Sequence, residues 1–191
     1  MTHRSNGSEP EILSVRTAAR SRLFHIEAVE LRFANGSVRE FERVAGSVNP
    51  GAVIIIPLLD ERNLLLVREY AVGLERYELN LPMGRIQTAE TPLEAANREL
   101  REETGYAASN LKSLHTLALA PGILAYRMEV VLASGLFPST STGDEPEPLE
   151  VIGWPLDRLD ELVTREGISD ARTLAALFVA RQSLRTPHAS D

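Results

Sequence analysis

Residues 84–106, GRIQTAETPLEAANRELREETGY, constrain this chain more than any other stretch, because they specify a helix, both of its ends and what two of its faces must meet. Thr91 is an N-cap residue, Pro92 suits the first helical position, and Glu94, three residues after Thr91, completes a capping box. Gly105 supplies a left-handed stop at the other end. At about 100° per residue, Glu99, Glu102 and Glu103 fall within an arc of roughly 100°, and Leu93, Ala96 and Leu100 form an adjoining apolar stripe. One face buries while its neighbour gathers carboxylates, with Arg98 among them and Glu90 one loop earlier. So many carboxylates in one small volume need a cation.

Two readings of that face are open. Glu94 with Arg98 and Arg98 with Glu102 are i,i+4 pairs, which by themselves suit a solvated, salt-laced helix. The alternative is a metal site, with Glu99 and Glu103 as the main ligands, Glu102 as a further one, and Arg98 orienting a carboxylate. Oxygen donors without sulfur or imidazole favour a hard cation, Mg²⁺ first and Mn²⁺ second. His3, His25, His115 and His188 are scattered and form no zinc set. Arg68 and Glu78 flank the strand that leads into this region and either contact a substrate or sit on a strand edge as surface residues. Phe24 and Tyr126 either stack on a flat ligand group or pack in the core.

The formal charge is -7, with no basic block, which argues against nonspecific nucleic-acid binding. It also means that a phosphate substrate needs cations and local arginines to reverse the field at the site. Lys112 is the only lysine, so the basic side chains are guanidinium groups suited to bidentate phosphate contacts. The chain has no cysteine, which excludes disulfides, thiolate metal sites and cysteine nucleophiles, and suits a reducing cytoplasm. MTHRSNGSEPE lacks the apolar run of a signal peptide, and no stretch approaches the roughly 18 apolar residues of a membrane span. A soluble, cytoplasmic protein with no membrane partner is expected.

Residues 1–10 read as a disordered tail and 186–191 as another. Phe24 to Phe33 and Val38 to Val44 flank Asn35-Gly36, the strongest short hairpin signal, so 11–47 forms an N-terminal hairpin extension. The core domain spans 48–185. AVIIIPLL at Ala52 to Leu59 and the run Asn63 to Tyr70 read as buried strands, followed by strands at Tyr77 to Leu81, Leu111 to Ala118, Met128 to Ser134 and Val151 to Trp154. Residues 156–163 and 169–184 have helical spacing, the second with Leu174, Leu177, Phe178 and Leu184 as its apolar stripe. Ahead of the last strand lies the acidic, proline-broken loop Ser139 to Pro148. The sum is an α/β domain, a mixed sheet with helices on its faces.

The helix segment matches the Nudix box at Gly84, Glu90, Arg98, Glu99, Leu100, Glu102, Glu103 and Gly105, and seven fixed positions at about 5 to 7% usage arise by chance on the order of once in 10⁸ windows. Outside the box, RSRLF at Arg20 to Phe24, VREYAVG at Val67 to Gly73, YEL at Tyr77 to Leu79, GDEPEP at Gly143 to Pro148 and WPL at Trp154 to Leu156 resemble the NudE-type, ADP compounds hydrolase branch of the ADP-ribose pyrophosphatase group. Pro121 is similar to a proline of ADP-ribose-cleaving members.

The resemblance implies a Nudix α/β/α sandwich, a homodimer whose N-terminal hairpin contributes to the partner's site, and hydrolysis of ADP-ribose, NADH or diadenosine polyphosphates. The products would be AMP and the other phosphorylated half. It also implies the backbone carbonyl of Met83 as a metal ligand and a glutamate of the GDEPEP loop as general base, Glu145 first and Glu147 second. Two departures stand: Tyr106 replaces an aliphatic residue, and Gln87-Thr88-Ala89 lacks the family's glycine before Glu90. A Nudix-like nucleotide-binding regulator without turnover, an interaction module with a merely solvated acidic helix, and a nucleoside triphosphate pyrophosphatase are the rival functions.

Overall fold

The computed structural model describes residues 8–45, 51–139, 141 and 147–185. Its elements are β1 (Glu11–Arg20), β2 (His25–Arg32), β3 (Val38–Ala45), β4 (Ala52–Pro57), β5 (Asn63–Ala71), β6 (Arg76–Asn80), β7 (Met83–Arg85), α1 (Pro92–Thr104), β8 (Tyr106–Ala118), β9 (Leu124–Ala125), β10 (Arg127–Pro138), β11 (Glu150–Pro155), α2 (Leu159–Leu162) and α3 (Ala171–Arg185). They divide into two compact units, the N-terminal strands with residues 118–126, and the remainder.

In the N-terminal unit the expected hairpin forms in register, Arg32 opposite Val38 and His25 opposite Ala45. It is only part of the sheet. β1 pairs antiparallel with β2 and β9 pairs parallel with β3, giving the order β1-β2-β3-β9. The sequence EILSVRTAAR has no clean alternation, and register shifts near Ser14 and Ala19 explain why its period is blurred. Ile12, Val15, Phe24 and Phe41 are exposed on this unit.

The second unit is built on β4, every residue of which is buried, as a strand covered on both faces requires. It runs parallel to β10 and antiparallel to β7, so the sheet β7-β4-β10-β8 is mixed as expected. A second, antiparallel sheet has the order β11-β5-β6. Val53 and Ile55 pack with Ala95, Ala96 and Leu100 of α1, and since side chains alternate along a strand, Ile54 and Ile56 face the other way, where α3 touches β4. A leucine as fully buried as Leu100 contributes about 1.5–3 kcal/mol.

Each expected apolar stripe is buried only in part, at Ala96 and Leu100 on α1 and at Leu177 on α3. On α1 the buried set is Ala95, Ala96, Leu100 and Thr104, while Leu93 is at the surface. On α3, Phe178 and Leu184 are exposed and Thr173, Ala176, Leu177 and Ala180 are buried. Small residues let this helix approach the sheet closely, and Thr173 satisfies its hydroxyl there by accepting from Leu81 N at 3.2 Å.

Candidate active site

The carboxylate helix is fixed by its own ends. Thr91 Oγ1 accepts from Glu94 N at 3.3 Å and Glu94 Oε2 accepts from Thr91 N at 2.8 Å, and Gly105 sits at φ 74° as the left-handed stop. The Glu94 carboxylate is therefore committed to the cap. Arg98 turns instead toward the loop before the helix.

Arg98 holds Glu90 through a fork, Nε to Oε1 at 2.7 Å and Nη2 to Oε2 at 3.1 Å. Nη2 also donates to the Arg85 carbonyl at 2.8 Å, which ties β7 to the helix. Nη1 donates to Glu99 Oε1 and to Glu102 Oε2, both at 2.9 Å. One guanidinium thus binds three carboxylates, each with a side chain no more than 20% exposed. Hydrogen bonding from Arg98 leads the causes that hold the Glu90 carboxyl below its ordinary value, and the contact with Glu90 leads those that raise Arg98.

Gly84 explains the start of the box. A Cβ there would lie 1.9 to 2.3 Å from the carboxyl atoms of Glu99, so only glycine lets this backbone rest against that carboxylate. Met83 immediately precedes it in β7, in the same stretch of backbone. The position before Glu90 tells the complementary story. Ala89 stands at φ 71°, the left-handed region, where a non-glycine residue costs about 1–2 kcal/mol, so the position before Glu90 carries strain that a glycine there would not. Gln87 N still donates to Glu90 Oε2 at 2.9 Å.

Glu99 and Glu102 therefore meet at one nitrogen rather than pointing apart, and Glu103 follows Glu99 by one helical turn. Among the described residues no three acidic or histidine side chains converge into a finished ligand set. The donor chemistry nevertheless fits a hard divalent cation: the groups are carboxylates, and Arg98 Nη1 draws two of them together through one oxygen each.

The remaining predicted residues lie on β5, β6 and the acidic loop. Arg68 is exposed, pairs with Glu150 at 3.2 Å and stacks on the Tyr77 ring at 5.1 Å. Glu78 is not a strand-edge surface residue: it is 1% exposed, with Oε1 on Arg76 Nε at 2.6 Å and Oε2 accepting from Ser169 N and Oγ, each at 2.8 Å. Burial opposes its ionisation, but the Ser169 and Arg76 hydrogen bonds outweigh burial and hold the carboxyl below its ordinary range. Glu147 accepts from Tyr77 Oη at 2.7 Å, which raises the Tyr77 phenol. Glu145 lies outside the described residues. Phe24 and Tyr126 belong to the N-terminal unit, Phe24 exposed and Tyr126 half-buried.

Several polar residues here escape a reading of local pattern. Asn80, Ser169, Asp170 and Arg172 line a cleft of about 680 Å³ together with Glu78 and Glu147. Arg76, Glu78 and Asn80 alternate along β6, and Ser169-Asp170 precedes a helix, so a polar strand face and a helix start are the signals that point to them.

Lowered carboxyl values carry a stability consequence. Glu90 and Glu78 ionise more readily folded than unfolded, so their contribution is complete above the ordinary value of 4.5 and is lost as pH falls through the lower native values. Denaturant melts between pH 7 and pH 3 should be level down to about pH 5 and decline below it. Glu78→Gln should make that acid decline shallower; an unchanged slope would remove Glu78 from the account.

Comparison with known proteins places this geometry. Residues 10–43 match the model of the NudE-type Nudix hydrolase N-terminal domain, and residues 48–177 match the NUDIX domain. The chain is 45% identical over 177 residues to the ADP compounds hydrolase NudE of Escherichia coli strain K12, covering 93% of this chain and 94% of that one. It is 31% identical over 174 residues to the ADP-ribose pyrophosphatase of Bacillus subtilis strain 168, covering 86% and 91%. A solved structure described as the crystal structure of ADP compounds hydrolase superposes with a TM-score of 0.84 at 43% identity, covering 93% of this chain and 95% of the other.

Proposed function

The chain belongs to the Nudix hydrolase family, and from that we propose that it cleaves the diphosphate of ADP-linked compounds, ADP-ribose, NADH and diadenosine polyphosphates, to AMP and the other phosphorylated half. The observation that carries this is the assembled box, in which Arg98 and Gly84 together hold Glu99 in place, combined with likeness over nearly the whole chain to an ADP compounds hydrolase.

Nudix hydrolases act with a divalent cation, and here Mg²⁺ is proposed first and Mn²⁺ second. Glu99, Glu103, Glu102 and the Met83 carbonyl would hold it. When bound, it offsets charge on the diphosphate and lowers the pKa of water. The protein's own residues do the rest. Arg98 orients Glu99 and Glu102, and Glu90 and the Arg85 carbonyl orient Arg98. A glutamate of the acidic loop takes the proton as water oxygen bonds to phosphorus and the bridging P–O bond breaks, its electron pair leaving with the departing phosphate. Glu147, held by Tyr77, and Glu145 are the two candidates. Arg68 and Glu78 act around the substrate from β5 and β6; the pairing of Arg68 with Glu150 and the burial of Glu78 support an indirect role for each.

Exposed Ile12, Val15 and Phe41 support a homodimer formed through the N-terminal sheet. No helix among the described residues is long and apolar enough to cross a membrane, and the absence of cysteine supports a cytoplasmic setting.

The test is incubation with Mg²⁺ and, separately, ADP-ribose, NADH, diadenosine triphosphate and dGTP, with products separated by chromatography. AMP from the first three without dGTP turnover is expected. Turnover of dGTP alone would transfer the chain to nucleoside triphosphate pyrophosphatases, and binding without turnover would make it a regulator. Glu145→Gln and Glu147→Gln, assayed side by side, identify the base by the larger loss in kcat.

A further inference from the structure

The cleft of about 680 Å³ in the second unit has a composition that selects among the parts of a nucleoside diphosphate compound. None of the box carboxylates lines it. Its walls carry Glu69, Glu78, Glu147 and Asp170, and Arg172 is the sole cation among its lining residues. Arg172 is engaged by Asp170, with Nε 2.9 Å from Oδ2 and 3.0 Å from Oδ1. Such walls repel a diphosphate. They offer acceptors, which is what hydroxyl groups seek.

Asn80 adds a donor. It is 6% exposed, and Thr173 Oγ1, which accepts from Leu81 N, donates to Asn80 Oδ1 at 3.4 Å. The amide oxygen is thereby turned to α3. The amide NH₂ makes no hydrogen bond among the described residues, yet it is not sealed from solvent, and Asn80 lines the cleft. A nearly buried donor that opens onto a cleft is placed to exchange water for a ligand oxygen. Apart from Ser169, whose hydroxyl is given to Glu78, the rest of the wall is largely apolar, with Tyr70, Leu149, and Val72 and Leu74 on the outer turn, the last two 82% and 54% exposed. Acceptors, a donor open to the cleft and apolar side chains match a sugar ring, with its hydroxyls, its ring oxygen and its C–H face.

We propose that this cleft seats the ribose of the non-adenylate half of the substrate, with Asn80 donating to a sugar oxygen and the carboxylates of Glu69 and Glu147 accepting from the hydroxyls. This rests on the reading of the chain as an ADP compounds hydrolase, in which ADP-ribose yields ribose 5-phosphate. Glu147, one of the two residues offered as the base, lines the same cleft.

Ribose 5-phosphate and AMP are the probes, each titrated into the full-length protein with Mg²⁺ and followed by calorimetry and by protein NMR shifts, without turnover. Asn80→Leu should weaken ribose 5-phosphate about tenfold and leave AMP within about twofold. Because Asn80 is buried and its replacement risks the fold, Val72→Trp at the exposed rim is the second variant, and it should weaken ribose 5-phosphate by a similar factor at unchanged Tm. Unaltered ribose 5-phosphate binding in Val72→Trp and in folded Asn80→Leu would overturn the proposal. So would selective loss of AMP, which would put the nucleoside in the cleft, or failure of the wild-type protein to bind ribose 5-phosphate. Hydrolysis of ADP-ribose is scored separately: turnover with unaltered variants sinks the sugar subsite alone, and no turnover of any ADP compound sinks the functional reading while the titrations still judge the cleft.

Discussion

Glu99→Gln is expected to lower kcat/KM for ADP-ribose by about 10³-fold at saturating Mg²⁺ while moving the melting temperature by no more than about 2 °C. The substitution keeps the shape and removes the charge. Its packing is undemanding, since the side chain touches Arg98 Nη1 at 2.9 Å and lies against Gly84, and both contacts accept an amide oxygen. Gly84→Ala supplies the companion result. The added methyl would meet Glu99 carboxyl atoms at 1.9 to 2.3 Å, and those atoms are the free end of a flexible side chain, so the carboxylate swings away before the backbone yields. The variant should therefore stay folded and lose about 10²-fold in rate, at about 1.4 kcal/mol per tenfold. Wild-type rates in both variants, or losses that merely track unfolding, would remove Glu99 from the site.

The difference between what the sequence discloses and what it conceals follows the range of the interactions. Thr91, Pro92, Glu94 and Gly105 act within a few residues of themselves, so both boundaries of α1 are legible in the sequence. Competition for one carboxylate is not: Glu94 has both the N-cap and Arg98 within reach, and the cap takes it, leaving Arg98 to reach back eight residues to Glu90. The buried face of α3 departs from its apolar stripe because large apolar residues dominate a helical pattern, whereas Ala176, Ala180 and Thr173 are the ones small enough to lie against the sheet. β1 carries no strand signal for a related reason, since its conformation is imposed by pairing with β2 rather than by a pattern of its own. Glu78 shows the same limit at the cleft: its burial depends on Ser169, ninety-one positions away, and no spacing within YEL announces that partner.

Arg98→Met carries the second large effect and separates orientation from ligation. The guanidinium contacts Glu90, Glu99, Glu102 and the Arg85 carbonyl, and the carboxylates around it are no more than 20% exposed. Its removal leaves three facing carboxylates without a counter-charge, a situation worth about 2–4 kcal/mol of stability at a partly buried site, or a fall of about 4–16 °C in Tm for a domain of this size. Activity should drop at least about 10²-fold. Unlike a ligand variant, however, Arg98→Met retains every candidate ligand, so raising Mg²⁺ from about 1 to 50 mM should restore both melting temperature and rate in part, by supplying the missing positive charge. Glu99→Gln should not respond in this way. Arg98→Lys tests the geometry further, because a single ammonium cannot reproduce a fork to Glu90 together with contacts to Glu99 and Glu102, and it should recover stability more than rate. An Arg98→Met enzyme with a wild-type Mg²⁺ dependence and a rate within about threefold would show that the carboxylates find their places without the arginine, and the helix would then have to be credited with the positioning by its caps alone.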